Sequence, residues 1–405
     1  MLKSVIIQDF FSFKGRKEIK LRDDVNLLLG INGSGKSSFI KALSVLTEGV
    51  TSEGGLTSLI QGKWGGYKEI ANCNGEREVP FVELTYVFDY NKLNKINEDA
   101  KFTSDLYYRI TIHPLGSTSY ILEESIYTEH KIKCESQFKY LEFYNGNGKI
   151  STRDDKGKIS FLDYTSDNIS GQELVLKQIN DPIHYLPIST LRKAIESISV
   201  YNNFNVEEGS ALRKPSEYST YKRLKKDGSN LFQILSNLQL EHSFDYTRLE
   251  ETFKNVNPNF KRIVIANPNG QLYLYLEENN LKHAISVLHI SDGSLRFLLL
   301  ESIFFNPLLG SLTAIDEPEK GLHPDMIRSV ADMIKQAAKQ TQLIIATHSP
   351  HLLNQFELKD ILVFEKDNEN STIVNTISED DFPDWEGNYL PGQMWLLGQI
   401  GGKRW

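Results

Sequence analysis

The chain has 405 residues, enough for a large core and more than one lobe. Hydrophobic residues make up 40% and charged residues 24%, the balance of a soluble globular protein, and the longest apolar helix-like run, Phe297 to Phe305, is broken by Glu301 and Ser302. It falls short of the ~20 apolar residues that span a bilayer, so no membrane helix is expected. Cys73 and Cys134 are the only cysteines, which excludes a disulfide scaffold and fits a cytoplasmic protein. With a net charge of −8, any contact with nucleic acid needs a local basic patch.

Met1 to Val5 reads as the start of a strand rather than a signal peptide. Val5 to Ile7, Glu18 to Leu21 and Val25 to Leu29 follow as strands; the last is a buried run that feeds a glycine loop. Phe39, Ile40, Leu43 and Leu46 give helical spacing to Ser37–Leu46, and glycine-rich Thr51 to Asn74 reads as loop. From Val79 to Tyr164 the period is two, and Asn145-Gly146-Asn147-Gly148 marks a hairpin, which predicts an antiparallel meander. Leu191–Ile198, Asn230–Leu240 and Tyr246–Val256 are amphipathic helices, and Arg262–Ala266 and Leu272–Leu276 form a hairpin across Asn267 to Gly270. Leu312–Asp316, Leu343–Thr347 and Ile361–Phe364 are buried strands, with a helix from Asp325 to Lys339 behind Pro324. Strands alternating with helices predict a parallel sheet. The boundaries read from these shifts are an N-terminal lobe at 1–180, a helical insertion at 181–260, a C-terminal lobe at 261–370 and a tail at 371–405.

Gly30-Ile31-Asn32-Gly33-Ser34-Gly35-Lys36-Ser37 matches G-x-x-x-x-G-K-[ST] between a strand and a helix. Glycines let backbone N–H groups close around phosphates, and the following helix adds its positive end. Lys36 is expected on the β and γ phosphates of ATP, and the Ser37 hydroxyl on Mg²⁺. Asp316-Glu317 ends an apolar strand: Asp316 suits Mg²⁺ and Glu317 suits a general base for the attacking water. His348, at the end of the next apolar strand, is placed to bond a γ-phosphate or orient the water. Ser291-Asp292-Gly293-Ser294 opens a helix, which is either an anion site or an ordinary cap.

In this order, Ile7-Gln8-Asp9-Phe10-Phe11-Ser12-Phe13, Gly30 to Ser38, Ser291 to Arg296, Ile315-Asp316-Glu317-Pro318-Glu319, Gly321 to Pro324 and Ala346 to Pro350 resemble the ABC-type ATPases of the RecF and SMC group. More closely, the chain looks like the stand-alone prokaryotic "AAA family" ATPases, OLD- and RecF-like, many of which sit in anti-phage defence operons. The resemblance covers both ends well and 54–180 loosely. It implies an α/β fold: an ABC-type P-loop head of mixed sheet, with an antiparallel β subdomain and a helical insertion; no heptad run is long enough for the coiled-coil arm of SMC proteins, so no coiled-coil arm is expected. It also implies an ATP- and Mg²⁺-dependent homodimer or higher oligomer. Asn32, Gly33, Ser34, Gly35, Lys36, Ser37, Ser38, Asp316, Glu317 and His348 of one copy would then face Ser291 and Gly293 of another across the nucleotide. A separate nuclease or toxin effector is the implied partner, because many of these relatives sit beside one. The stretch after His348 leaves no room for the TOPRIM nuclease domain of OLD-type relatives, so any DNA cleavage is expected to need a partner protein.

The chain departs from the family pattern in two places. Asp292 stands where transporters carry glycine, and the Mg²⁺-contacting glutamine has only Gln61 and Gln178 as candidates. Lys14 and Arg16 lie near where relatives meet the nucleotide, and His323 either feeds a dimer interface or simply begins a helix. Trp385, Trp395 and Trp405 belong to a tail that either docks a partner or packs on its own head. Lys222, Arg223, Lys225 and Lys226 could meet DNA, although a solvated face explains them more simply. The rival functions are a DNA-repair ATPase that binds DNA directly, a non-hydrolysing nucleotide-bound scaffold and a transporter subunit.

Overall fold

Period-two alternation builds the first half of the chain. β1 (Leu2–Gln8) and β2 (Arg16–Lys20) form an antiparallel pair, and β3 (Val25–Leu29), buried at all five positions, leads into α1 (Lys36–Thr51). The computed structural model describes residues 1–73, 79–129, 138–153, 159–202, 204–219, 221–382 and 389–401. It divides into two compact units that interleave along the chain. One comprises Met1–Asp23, Gly30–Ser199 and Val363–Asn375; the other comprises Asp24–Leu29, Val200–Leu362 and the chain from Thr376.

In the first unit β4 (Val82–Phe88), β5 (Leu106–Leu115), β6 (Ser119–Thr128), β7 (Phe138–Tyr144), β8 (Asn147–Arg153) and β9 (Ile159–Tyr164) complete an antiparallel sheet of order β2-β1-β4-β5-β6-β7-β8-β9. This is the expected meander. Leu106, Tyr108, Ile110 and Ile112 of β5 are buried at every second position. The β7–β8 turn uses Asn145 and Gly146 at φ 47° and 76°, the paired left-handed geometry of a two-residue hairpin. α1 covers the sheet, and the buried Tyr86 hydroxyl of β4 donates to Ala42 O at 2.6 Å. α2 (Leu186–Glu196) packs on α1.

The segment expected as loop after α1 is instead helical, at Gly55–Thr57, Ser58–Lys63 and Tyr67–Ile70. Its glycines disguised the buried residues Leu56, Leu59, Ile60 and Ile70, which fold it against the unit.

After β10 (Ile198–Tyr201), the second unit holds an antiparallel sheet and a parallel one. β11 (Ser216–Glu217), β12 (Phe260–Ala266), β13 (Gln271–Glu278) and β14 (Ile285–Ser286) form the antiparallel sheet around the β12–β13 hairpin. α3 (Leu231–Glu241) and α4 (Ser243–Val256) precede that hairpin, and α5 (Asp292–Phe304) follows β14. β15 (Leu312–Asp316) and β16 (Gln342–Thr347) run parallel, linked through α6 (Pro324–Ala337), and β3 is the third parallel strand beside β16. His323 caps α6, its Nδ1 accepting from Asp325 N at 3.4 Å, and Pro324 occupies the first turn.

α7 (Pro350–Leu353) follows β16, then β17 (Ile361–Lys366), β18 (Thr372–Thr376) and α8 (Pro391–Leu396). β18 falls where the tail was expected to begin. α8 packs on α7: Gly392 N donates to Asn354 Oδ1 at 2.8 Å, and a Cβ on Gly392 would sit 2.1 Å from Pro350 O. Trp395 is buried in the same packing, while Trp385 and Trp405 lie outside the described residues. Among the described residues no helix is long and apolar enough to cross a membrane. α1, at 16 residues, is the longest helix labelled here, and no coiled-coil arm is seen among the described residues.

Two acids are spent in the cores. Glu301 of α5 is fully buried, and neither carboxylate oxygen has a partner among the described residues, so burial pushes its pKa well up. Glu124 of β6 is buried too, but accepts from Tyr108 Oη at 2.8 Å and Val175 N at 2.7 Å; burial raises it to about 7.

The folded-state value of Glu124 exceeds the unfolded one. Between pH 4.5 and about 7 the folded chain therefore keeps a proton that the unfolded chain has released, and stability falls as pH rises through that window. Glu124→Gln keeps the shape without the charge. Its stability relative to the parent should rise from pH 5 to pH 8 by roughly 1–3 kcal/mol, read by denaturant midpoints. A pH-independent difference would contradict the assignment.

Candidate nucleotide site

In the first unit the loop from Gly30 to Gly35 has the geometry of a phosphate cradle. Gly33 and Gly35 stand at φ 81° and 112°, backbone that residues with a Cβ avoid. A Cβ on Gly30 would lie 2.4 Å from Phe364 O, and one on Gly35 2.2 Å from Thr372 Oγ1. Asn32, Gly33 and Ser37 are exposed, whereas Ser34, Gly35 and Lys36 are buried. Lys36 Nζ turns back over the loop and donates to Gly30 O at 2.6 Å and Ile31 O at 3.1 Å. Gly35 has no side chain with which to cap α1, and the first turn carries no acid, so the positive helix end keeps its field.

A ladder of hydroxyls supports this loop. Ser12 Oγ lies 2.9 Å from Ser38 Oγ, Thr372 Oγ1 lies 2.8 Å from Ser12 Oγ, and Thr372 Oγ1 is 2.9 Å from Ser34 O. Thr372 N also donates to Ser12 O at 2.8 Å. Ser12 comes from the β1–β2 connection and Thr372 from β18. Sequence reading met Ser12 only as part of the Ile7 to Phe13 stretch and passed over Thr372, whose partner loop lies hundreds of residues away. Lys14 pairs with Glu369 at 2.5 Å, Arg16 is exposed on β2, and Gln61 is half-buried. Gln178 spends its amide on Ser170 and Glu173.

In the second unit the parallel register aligns three strand ends. Leu29 faces Thr347, and Asp316 faces Ala346. Within this unit the acidic pair and His348 leave the carboxyl ends of β15 and β16, the edge at which α/β sheets bind ligands. Glu317 stands at φ 49°, a strained position for a residue with a side chain, and its N–H donates to Ala346 O at 2.8 Å. Its carboxylate lies against His348, with Nδ1 and Oε1 3.0 Å apart.

Glu319 is buried behind them. It accepts from Thr347 Oγ1 at 2.5 Å and His348 N at 3.3 Å, and burial raises its pKa. It thereby fixes the backbone that carries His348, a role hidden in the sequence as the second acid of Glu317-Pro318-Glu319.

Ser291 caps α5, its Oγ accepting from Ser294 N at 3.2 Å. Asp292 pairs with Arg213 at 2.5 Å, and Arg213, itself buried, also donates to Val206 O, Val287 O and Ile290 O. A Cβ on Gly293 would sit 3.1 Å from Gly321 O, so this loop abuts the turn that follows Glu317. Arg296 lies there too, donating to Phe204 O at 2.9 Å; burial lowers its pKa, and the charges of Asp292 and Glu317 oppose that shift. The second unit thus groups Glu317, Glu319, His348 and Gly293. The triphosphate fits the first unit's cradle on the evidence of its glycines and of the helix end behind them. Among the described residues there is no cluster of three or more metal-ligating side chains.

Residues 25–354 match the model of the family described as "AAA domain, putative AbiEii toxin, Type IV TA system". The chain belongs to this family. As an AAA domain it is 21% identical over 384 residues to "Retron Vc95 probable ATPase" of Vibrio cholerae serotype O1 biovar El Tor, covering 90% of this chain and 73% of that one. It is 28% identical to "Retron Ec83 probable ATPase" of Escherichia coli over 37% of this chain and 30% of that one. It is 26% identical to "Septu protein PtuA" of Bacillus thuringiensis over 31% and 32%. Among solved structures it superposes on an Smc head bound to the C-terminal winged-helix domain of ScpA with a TM-score of 0.54 and 15% identity, covering 94% of this chain and 99% of that one. A Pyrococcus furiosus Smc head bound to the C-terminal domain of ScpA gives 0.53, with 14% identity and coverage of 98% and 99%. The fold is therefore the expected ABC-type head.

Thr372→Val removes the hydroxyl that spans Ser12 and Ser34 while keeping the side chain's shape. It should weaken ATP binding roughly tenfold in a calorimetric titration, the worth of one or two buried hydrogen bonds. Thr372→Ser should restore most of the affinity, and unchanged affinity in the valine variant would show that the ladder does not support the loop.

Proposed function

We propose that the chain binds Mg-ATP on the loop Asn32 to Ser38, associates with a second copy around the nucleotide, and hydrolyses it slowly as a switch. The observation that carries this reading is the strained Glu317 paired with His348 at the same strand edge from which the glycine loop departs. Lys36 neutralises the β and γ phosphates, and the first-turn N–H groups of α1 hold their oxygens. Ser37 and Asp316 would hold Mg²⁺, which supplies charge neutralisation at the phosphates. Glu317 takes the proton of the attacking water, and His348, held by Glu319 through Thr347, orients that carboxylate or bonds the γ-phosphate. Ser291 and Gly293 of the second copy close over the phosphates.

The relatives support a setting. Two are named as probable ATPases of retrons and one as a Septu protein, which favours prokaryotic anti-phage defence. There the ATP-bound assembly would restrain or deploy a separate nuclease or toxin in the cytoplasm. A non-hydrolysing scaffold would have no use for the strain at Glu317.

Lys36→Ala should reduce ATP affinity at least a hundredfold by equilibrium dialysis; retained affinity would remove the loop from the reading. Glu317→Gln should cut the hydrolysis rate at least a hundredfold and accumulate an ATP-bound oligomer in size-exclusion chromatography. Hydrolysis at the parental rate would exclude Glu317 as the base.

A further inference from the structure

The ATPase reading leaves the stretch between β11 and α3 unused. Residues 218, 219 and 221–228 form no helix or strand, yet their backbone is pinned from within the second unit. The Tyr201 hydroxyl donates to Leu224 O at 2.9 Å. Asn230 accepts from Lys225 N at 2.8 Å and donates to Arg223 O at 2.9 Å. Asn306 donates to Lys222 O at 2.8 Å, and Gln233 both accepts from Ser219 N and donates to Ser219 O. All four anchoring side chains belong to buried residues: Tyr201 is 3% exposed, Asn230 3%, Gln233 1% and Asn306 6%. A loop that served only to connect two elements would not need four buried polar side chains to fix its shape.

The loop displays aromatic rings among cations. Tyr218 and Tyr221 are 54% and 61% exposed. Lys214, Lys222, Lys225 and Lys226 are exposed beside them, and Lys225 Nζ lies 5.1 Å from the centre of the Tyr221 ring. From Lys214 to Gly228 these four lysines and Arg223 stand with two acids, Glu217 and Asp227, a local excess of positive charge in a chain whose net charge is −8. Rings held at the surface with cations interleaved are the chemistry of base stacking combined with phosphate pairing.

We propose that this loop binds single-stranded nucleic acid. Unpaired bases stack on Tyr218 and Tyr221, and Lys214, Lys222, Lys225 and Lys226 meet the phosphates. A duplex hides the faces of its bases and would use only the lysines; an acidic peptide would use the lysines without needing the rings. This surface is separate from the ATPase reading, and failure of one leaves the other standing.

The test uses the full chain and a labelled oligothymidylate of roughly 20 nucleotides, followed by fluorescence anisotropy across a salt series. The parent should bind it more tightly than a duplex of equal length. Tyr218→Ala with Tyr221→Ala should weaken binding about tenfold or more, and Tyr218→Phe with Tyr221→Phe should preserve it. Lys222→Glu with Lys225→Glu should weaken binding and flatten its salt dependence. Photocrosslinking of the unaltered protein to a bromouracil-substituted oligonucleotide gives a readout without substitution, and adducts should map to Tyr218 or Tyr221. No binding at low salt, equal binding by the double-alanine variant, adducts only elsewhere, or equal displacement by polyglutamate would each overturn the proposal.

Discussion

The parallel pairing of β3 with β16 is the constraint on which the rest depends. Val25 to Leu29 come early in the chain and Gln342 to Thr347 very late, yet the two strands lie in register with Leu27 opposite Ile345. Buried groups secure the pairing: Asn26 Nδ2 donates to Leu343 O at 3.2 Å, and Leu343 N donates to Asp24 O at 2.7 Å. Closing so long a loop costs entropy before any contact compensates, so the two ends of the chain must meet before this edge exists. Once they do, one strand's end continues into the glycine loop, and its neighbours' ends carry the acids and the histidine. A one-residue slip would turn each strand's side chains to the other face of the sheet.

Around that edge the chain departs from what stability alone favours. Glu317 adopts a left-handed backbone that costs of order 1–3 kcal/mol, and Glu319 is buried as an acid with a raised pKa. Each departure is held by specific bonds: Glu317 N to Ala346 O, and Thr347 Oγ1 and His348 N to Glu319. Strain and a buried acid thus meet at the carboxyl edge of β15 and β16, the edge to which we assign the chemistry.

The sequence revealed what is contiguous. The glycine loop and the Asp316-Glu317 pair are short contiguous motifs, His348 ends a local apolar run, and the meander shows as period-two alternation within each strand. The hydroxyl ladder was hidden because nothing local links Thr372 to Ser12 and Ser38 until folding brings their hydroxyls within 3 Å of one another. Arg213 reads as one more basic residue until its guanidinium is seen bound to three carbonyls and Asp292. Residues 55–70 read as loop because glycine outweighs five buried hydrophobic residues in a local window, while tertiary packing decides the outcome.

The central claim is that the nucleotide site is completed by a second copy. It rests on the family resemblance, which gives Lys36 and Ser37 to one copy and Ser291 and Gly293 to another; within the second unit, Gly293 abuts the turn after Glu317. Mixing two inactive variants tests it most directly. Lys36→Ala subunits lack the phosphate lysine but keep Ser291, and Ser291→Arg subunits keep Lys36 but present a blocked cap. If the site is shared, the mixture contains heterodimers with one intact site, and ATP hydrolysis reappears on mixing. If each copy hydrolyses alone, mixing gives no more than the sum of the two variants, and the shared site is contradicted.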